Sequence, residues 1–251
     1  MAEIHYQSHI KLKTKSRQMK KSILIVCSVF LLTSTLFAQK KEQVIVKAGT
    51  RAIDYFPISD RYLYPEFTAG EAFFTNNRSY PAVYNFNFLT GEMEFIKSND
   101  TLSIIDKTDL LSIVVAQDTF YYGNGYQQLI QNGQFKVYVK RGIAIKDIRK
   151  KGAMGTTNRS AASESYDYLL ANGLSMDLVA DIDMALEKED AYYFSTDGKD
   201  FTRYTRTNVV KAVPGKKDVL TNYIYATKTD FSSKDDILKL ANIVNKTLSE
   251  K

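Results

Sequence analysis

Period-two alternation of aromatic and aliphatic residues is the feature that most constrains this chain. Tyr84, Phe86 and Phe88 alternate with Asn85 and Asn87, and Met93 and Phe95 alternate with Glu92 and Glu94. Phe135, Val137 and Val139 alternate with Lys136, Tyr138 and Lys140. Successive side chains of a strand point to opposite faces, so each run reads as a half-buried strand. Turn formers separate the runs: Thr90-Gly91, Ser98-Asn99-Asp100, Gly123-Asn124-Gly125 and Asn132-Gly133. Asn and Gly accept the positive φ of tight hairpin turns, which predicts successive antiparallel hairpins from about Ala72 to Ile148. Strands and helices do not alternate, which argues against a parallel sheet.

The rest of the chain divides around this meander. Residues 149–165 open with Arg149, Lys150, Lys151 and Gly152 and continue rich in Gly, Ser, Thr and Ala, the composition of a flexible loop. Asp181, Asp183 and Glu187 then alternate with Ile182, Met184 and Leu186, a strand with the apolar set inward. Tyr192, Tyr193, Phe194, Asp197-Gly198 and Phe201 suggest a further hairpin. Pro214-Gly215 precedes Val219, Leu220, Tyr223 and Ile224 at helical spacing. Ser233-Lys234-Asp235-Asp236 resembles a capping box, with Asp where Glu is usual. Ile237, Leu240, Ala241, Val244 and Leu248 form one apolar helical stripe facing a core. The expected class is α+β: mainly an antiparallel β meander, barrel- or sandwich-like, with a C-terminal helical segment. The expected divisions are a β-rich body over 39–148, the loop over 149–165, and hairpins plus helices over 166–251.

The N-terminus reads as an export signal. Lys11, Lys13, Lys15, Arg17, Lys20 and Lys21 precede an apolar run from Ile23 to Leu32, and small or weakly polar residues lead to Ala38-Gln39. The run is too short for a membrane span, which needs about 20 apolar residues. Residues 1–38 are therefore expected to be a signal peptide cleaved near Ala38-Gln39, with Met19-Lys20-Lys21 a plausible true start. Cys27 does not mark a lipoprotein, because Val26 stands where lipidation requires a small residue. The leader holds six of the 34 Lys and Arg and one of the 28 Asp and Glu, leaving 28 against 27. The body is nearly neutral, so the basic balance of the whole chain does not point to nucleic acid. The expected location is periplasmic or secreted, with no transmembrane span in the mature protein.

The leader also contains both histidines, His5 and His9, and the single cysteine, and the chain has no tryptophan. Residues 39–251 thus lack imidazole and thiol. Ser-His-Asp and Cys-His catalysis, zinc sites with His or Cys ligands, and disulfides are excluded from the body. Carboxylates carry the remaining acid–base chemistry. Asp181, Asp183 and Glu187 share a strand face, as do Glu92 and Glu94. Such pairs suit glycoside hydrolysis or Ca²⁺, and Asp181 and Asp183 are the Ca²⁺ candidates, but a solvated strand face is the favoured reading, since the apolar alternation opposite already explains it. Asp197-Gly198-Lys199-Asp200 lacks EF-hand spacing. Gly123 and Gly125 make a turn rather than a phosphate cradle. Tyr121, Tyr122 and Tyr126 flank that turn and could present an aromatic surface to glycan or peptide, although packing in the core or hairpin is the favoured use.

Several blocks resemble uncharacterised exported β-rich proteins of Bacteroidetes-type bacteria: the leader ending LFAQ, VYNFNFLTGEMEFIKSNDTLSIID, KKGAMG, and YYFSTDGKDF with the tail that follows it. That resemblance implies the compartment and a β-rich fold. It carries no activity, so it assigns no catalytic or cofactor-binding residues. It further implies that Asp100-Thr101-Leu102, read as a turn, matches a pattern for O-glycosylation at Thr101. The leading expectation is a non-catalytic binding or structural module of the cell envelope, without cofactor, whose partner is an envelope protein or a glycan. The alternatives are a carboxylate-based hydrolase acting on glycans and an adaptor docking through its C-terminal helices. Intact-mass spectrometry of native protein is expected to find an N-terminus at or near Gln39, and an intact apolar leader would refute the export reading.

Overall fold

The computed structural model describes residues 43–151, 157–161 and 183–249, with the main chain alone for 147–151 and 157–161. Among the described residues twelve strands form one sheet: β1 (Val44–Val46), β2 (Thr68–Phe74), β3 (Ser79–Asn87), β4 (Glu92–Lys97), β5 (Asp100–Ser103), β6 (Leu110–Val115), β7 (Asp118–Gly123), β8 (Gly125–Gln131), β9 (Lys136–Lys151), β10 (Thr157–Ala161), β11 (Asp183–Ser195) and β12 (Thr202–Arg203). A 3₁₀ turn (Ala52–Tyr55) and α1 (Ile58–Arg61) lie between β1 and β2. Helices α2 (Arg206–Ala212), α3 (Lys217–Thr227) and α4 (Lys234–Ser249) close the chain. The strand order is β1-β11-β9-β8-β7-β6-β2-β3-β4-β5, with β10 beside β9 and β12 beside β11, and every pairing described is antiparallel. The fold is α+β, mainly β, built on an open sheet.

The turn residues act as their chemistry requires. Ser98 and Asn99 both take positive φ, at 52° and 70°, and join β4 to β5 by a two-residue turn. Gly133, between β8 and β9, leaves no room for a side chain: a Cβ there would stand 2.6 Å from Asn245 Oδ1. The connection from β5 to β6 departs from the expected run of hairpins. β6 pairs with β2, so the chain crosses back past β4, β3 and β2. Alternation identifies strands but carries no information on which non-neighbours pair. The segment over 149–165, expected as a loop, also differs: β9 runs to Lys151 and pairs with β10, Thr157 opposite Lys151 and Ala161 opposite Asp147. Ladder bonds come from the main chain, so a run poor in β-formers still joins a sheet when a long neighbour templates it.

β9 and β11 form the longest ladder, from Asp183↔Arg149 to Ser195↔Lys136, with a bulge between Ala185 and Leu186. Its two ends serve different cores. Ile143, Met184 and Leu186 pack with Phe86, Met93, Ile113, Phe120 and Tyr126. Val137, Val139, Tyr192 and Phe194 pack with the C-terminal helices. Between them Arg141 stands opposite Asp190, its Nε 3.6 Å from Oδ1, and also donates to Gln128 Oε1.

The expectation of half-buried strands fails at β3 and β4. Asn85, Asn87 and Glu94, read as the outward face, are buried. Periodicity states which residues share a face, not what covers it, and here residues 61–66 run alongside. Asn85 Oδ1 accepts from Tyr64 N at 3.0 Å, and its Nδ2 donates to Tyr64 O at 2.8 Å and to Glu66 O at 3.2 Å. The amide thereby satisfies main-chain groups outside the regular ladder, which would otherwise be costly to bury.

The C-terminal stripe packs as expected: Ile237, Leu240, Ala241 and Val244 are buried in the second core. The Ser233 hydroxyl accepts from Asp236 N at 3.4 Å, but the Asp236 carboxylate accepts from Asp230 N instead of closing a reciprocal box. Asp is one methylene shorter than the Glu of that motif. Asn245 docks the helix to the sheet, accepting from Phe135 N at 2.8 Å and donating to Phe135 O at 3.0 Å. Within α3, Leu220 and Ile224 are buried, whereas Val219 is 53% exposed and lies off the apolar face. Leu240→Asp buries an unpaired carboxylate and is expected to cost about 3–5 kcal/mol in urea denaturation. Lys239→Asp, on the exposed side, is expected to cost no more than about 1 kcal/mol, and equal losses would show that α4 does not pack on the sheet.

Candidate functional site

The face of the sheet that carries the first core continues toward β5 as an apolar groove. The registers Ala72↔Tyr80, Tyr84↔Phe95 and Phe95↔Leu102 bring these side chains to one face. They enclose a cavity of about 480 Å³. Tyr84 forms its floor, fully buried, and its hydroxyl donates to Tyr80 O at 2.7 Å. Burial pushes this phenol up to about 12. Phe95 meets Tyr80 edge-on at 5.6 Å and Tyr84 at 5.9 Å. At the mouth, Ile105 is 94% exposed, Leu102 42% and Tyr80 37%. Arg78 and Lys97 supply positive charge among the lining residues, and Asp106 supplies negative charge.

A smaller and more polar pocket, of about 210 Å³, lies between the β3–β4 turn and the β7–β8 turn. Glu92 enters from the first turn, and its carboxylate is held by Lys107 Nζ at 2.9 Å. Tyr122 and Tyr126 flank the second turn and meet edge-on at 5.1 Å. Lys107 Nζ also stands 5.2 Å from the Tyr122 ring centre. The Tyr126 hydroxyl is buried and has no hydrogen-bond partner among the described residues. Burial, followed by the Glu92 charge, holds this phenol well above its ordinary range, so it remains protonated. Lys140 and Arg141 close the far wall.

A third cavity, of about 390 Å³, is lined by Tyr55, Phe56, Pro57, Asp60, Glu187 and Lys188, with Val44. Lys188 Nζ stands 3.7 Å from Asp60 Oδ1, and Glu187 Oε2 accepts from Gln43 Nε2 at 3.3 Å.

The residues singled out by sequence are distributed as follows. Glu92 and Glu94 share no pocket: Glu94 is buried, accepting from Tyr62 OH at 2.7 Å and Asn87 Nδ2 at 2.9 Å. Asp183 accepts from Ala48 N at 2.9 Å and pairs with Lys47 at 3.0 Å, which ties β11 to the end of β1. Asp181 lies outside the described residues, and among those described no three candidate ligands cluster for a metal. Thr101 is exposed as expected, but within edge strand β5 rather than in the turn before it. Tyr121 turns away from Tyr122 and Tyr126 to meet Tyr138 at 5.7 Å, because neighbours on a strand face opposite ways. Asp197 organises its turn, accepting from Lys199 N, Asp200 N and Ser195 OH, which holds its carboxyl down at about 2. Nothing local distinguishes Tyr80, Ile105 and Asp60 from core or surface residues, and Leu102 stands out only as the last residue of Asp100-Thr101-Leu102.

The chain matches no protein-family model, no curated protein and no solved structure. Among the described residues no helix is long and apolar enough to cross a membrane. The Glu92–Lys107 pair yields a direct test, because both side chains are largely withdrawn from solvent. Lys107→Ala is expected to destabilise the protein by about 1–2 kcal/mol, since it leaves a partly buried carboxylate unpaired. Adding Glu92→Gln should restore part of that loss in a double-mutant cycle, and strict additivity would show that the pair is not coupled.

Proposed function

We propose that the protein is a non-catalytic binding module of the cell envelope, exported by its N-terminal leader, which takes an apolar ligand in the groove beside β5. One observation carries this reading: an apolar cavity of about 480 Å³ opens at a mouth formed by Tyr80, Leu102 and Ile105. Its volume lies in the roughly 300–1,000 Å³ range of small-molecule sites, and it is lined mainly by apolar and aromatic side chains with few charges. Ile105 at 94% exposure gains from being covered, as apolar surface removed from water contributes about 25 cal/mol per Å². Docking through the C-terminal helices has less to draw on, because the apolar stripe of α4 is occupied by the sheet and Val219 and Tyr225 are the large apolar residues of α3 left exposed.

A second reading, a carboxylate-based hydrolase acting on glycans, draws on the third cavity, where Asp60 and Glu187 both line an aromatic wall. Asp60, with its side chain 54% exposed and paired to Lys188, sits at the surface rather than in a water-excluded site. That setting ranks the hydrolase below the binding module.

The test is a fluorescence titration of the mature chain with an anilinonaphthalene sulfonate probe. Leu102→Asp and Ile105→Asp are expected to weaken binding at least tenfold, about 1.4 kcal/mol, with unchanged thermal melts. Val219→Asp, at an exposed apolar position remote in sequence, is expected to leave binding unchanged. Equal affinity in all four proteins would remove the groove as the site.

A further inference from the structure

The pocket between the two hairpin turns differs in character from the groove. At about 210 Å³ it lies below the roughly 300–1,000 Å³ of drug-sized sites and admits one small ring. Its chemistry is mixed by design of the two turns. Glu92 offers carboxylate oxygens that only accept, and Arg141 offers nitrogens that only donate. Asn124, exposed at the tip of the β7–β8 turn, offers both. Tyr122, 37% exposed, presents a ring at the entrance, and the buried Tyr126 behind it carries a hydroxyl with no partner among the described residues.

These features select among ligands. A bare anion would meet the Glu92 carboxylate, and a bare cation would meet Lys140 and Arg141. A wholly apolar ring would offer the Glu92 carboxylate and the Arg141 N–H groups no partner beyond Lys107, Asp190 and Gln128, and buried polar groups left short of partners cost about 1–3 kcal/mol each when neutral and more when charged. A ring whose hydroxyls donate to Glu92 and accept from Asn124 and Arg141, and whose carbon–hydrogen face lies on the electron-rich face of Tyr122, satisfies all of them. Gly125 shapes the wall: at φ +89° it also leaves room for the Lys140 stem, whose Cε stands 2.9 Å from where a Cβ would project.

We propose that this pocket binds a single sugar residue, the terminal or exposed unit of a glycan, between Glu92, Tyr122, Asn124 and Arg141. Tyr122 supplies the stacking face and Glu92 and Asn124 the hydroxyl contacts. No bond is made or broken, because Glu92 is the one carboxylate among the described lining residues and glycoside cleavage uses two. The site is separate from the groove, so a ligand can occupy either one alone.

The test is isothermal titration of the mature chain with glucose, galactose, N-acetylglucosamine, glucuronate and galacturonate, beside glycerol and acetate. At least one sugar is expected to saturate, while glycerol and acetate do not. Tyr122→Ala should weaken that sugar at least tenfold and Tyr122→Phe less than threefold, since a ring face is retained. If Tyr122→Ala melts early, Asn124→Ala, at an exposed turn tip, replaces it with the same expected loss. Leu102→Asp should leave sugar binding intact, which separates failure of this site from failure of the groove. The proposal is overturned if no sugar saturates, if acetate binds as well as the best sugar, or if both turn variants bind normally.

Discussion

The β9–β11 ladder is the element on which the rest of the structure depends. It is long enough for one end to be covered by hairpins and the other by helices, and its apolar residues serve both cores from a common strand pair. A strand buried at both ends needs a polar break that is itself satisfied, and Arg141 supplies it. Its guanidinium reaches Asp190 on the neighbouring strand and Gln128 on the other side. Planar, multi-donor geometry lets one side chain serve two strands at once. With neither disulfide nor His or Cys ligand available to residues 39–251, burial in the two cores, with the ladder hydrogen bonds between strands, holds the fold.

Buried polar groups then determine where the sheet remains open. Asn85, Asn87 and Glu94 lie beneath residues 61–66 and are fully engaged, so that face is structural. Where no described segment crosses, the same sheet presents side chains to solvent. The groove beside β5 is the core face continuing past its last covering element. The polar pocket lies between two turns, where strands end and side chains of both faces meet. Both candidate sites thus arise from where coverage stops, and neither requires a strained backbone.

The candidate sites were only partly legible. Glu92 stands out as half of a carboxylate pair on a strand face, and Tyr122 and Tyr126 as aromatics beside a predicted turn, and the fold brings the three into one pocket. Glu94 attracted the same notice on the same alternation, yet it is sealed by Tyr62, more than thirty residues away. Asp183 had the composition of a cation ligand and instead holds Lys47 and Ala48 N. The groove was illegible because Tyr80, Leu102 and Ile105 follow ordinary strand and loop patterns. Their exposure depends on no described segment crossing them, which no local window reports.

What the sequence by itself determined was the set of local choices: strands by alternation, hairpin turns by Asn, Ser and Gly, the amphipathic last helix, and the chemistries excluded by the missing His and Cys. These follow from backbone sterics and side-chain period, which act over a few residues. Only the tertiary structure decided that β6 pairs with β2, that β9 templates β10, that Asn85 and Glu94 are buried, and that Leu102 and Ile105 stand exposed beside a cavity. Each of those depends on contacts between segments far apart in the chain. Such contacts are set by competition among alternative pairings for burial and hydrogen bonds, a comparison that exists only once the whole chain is folded.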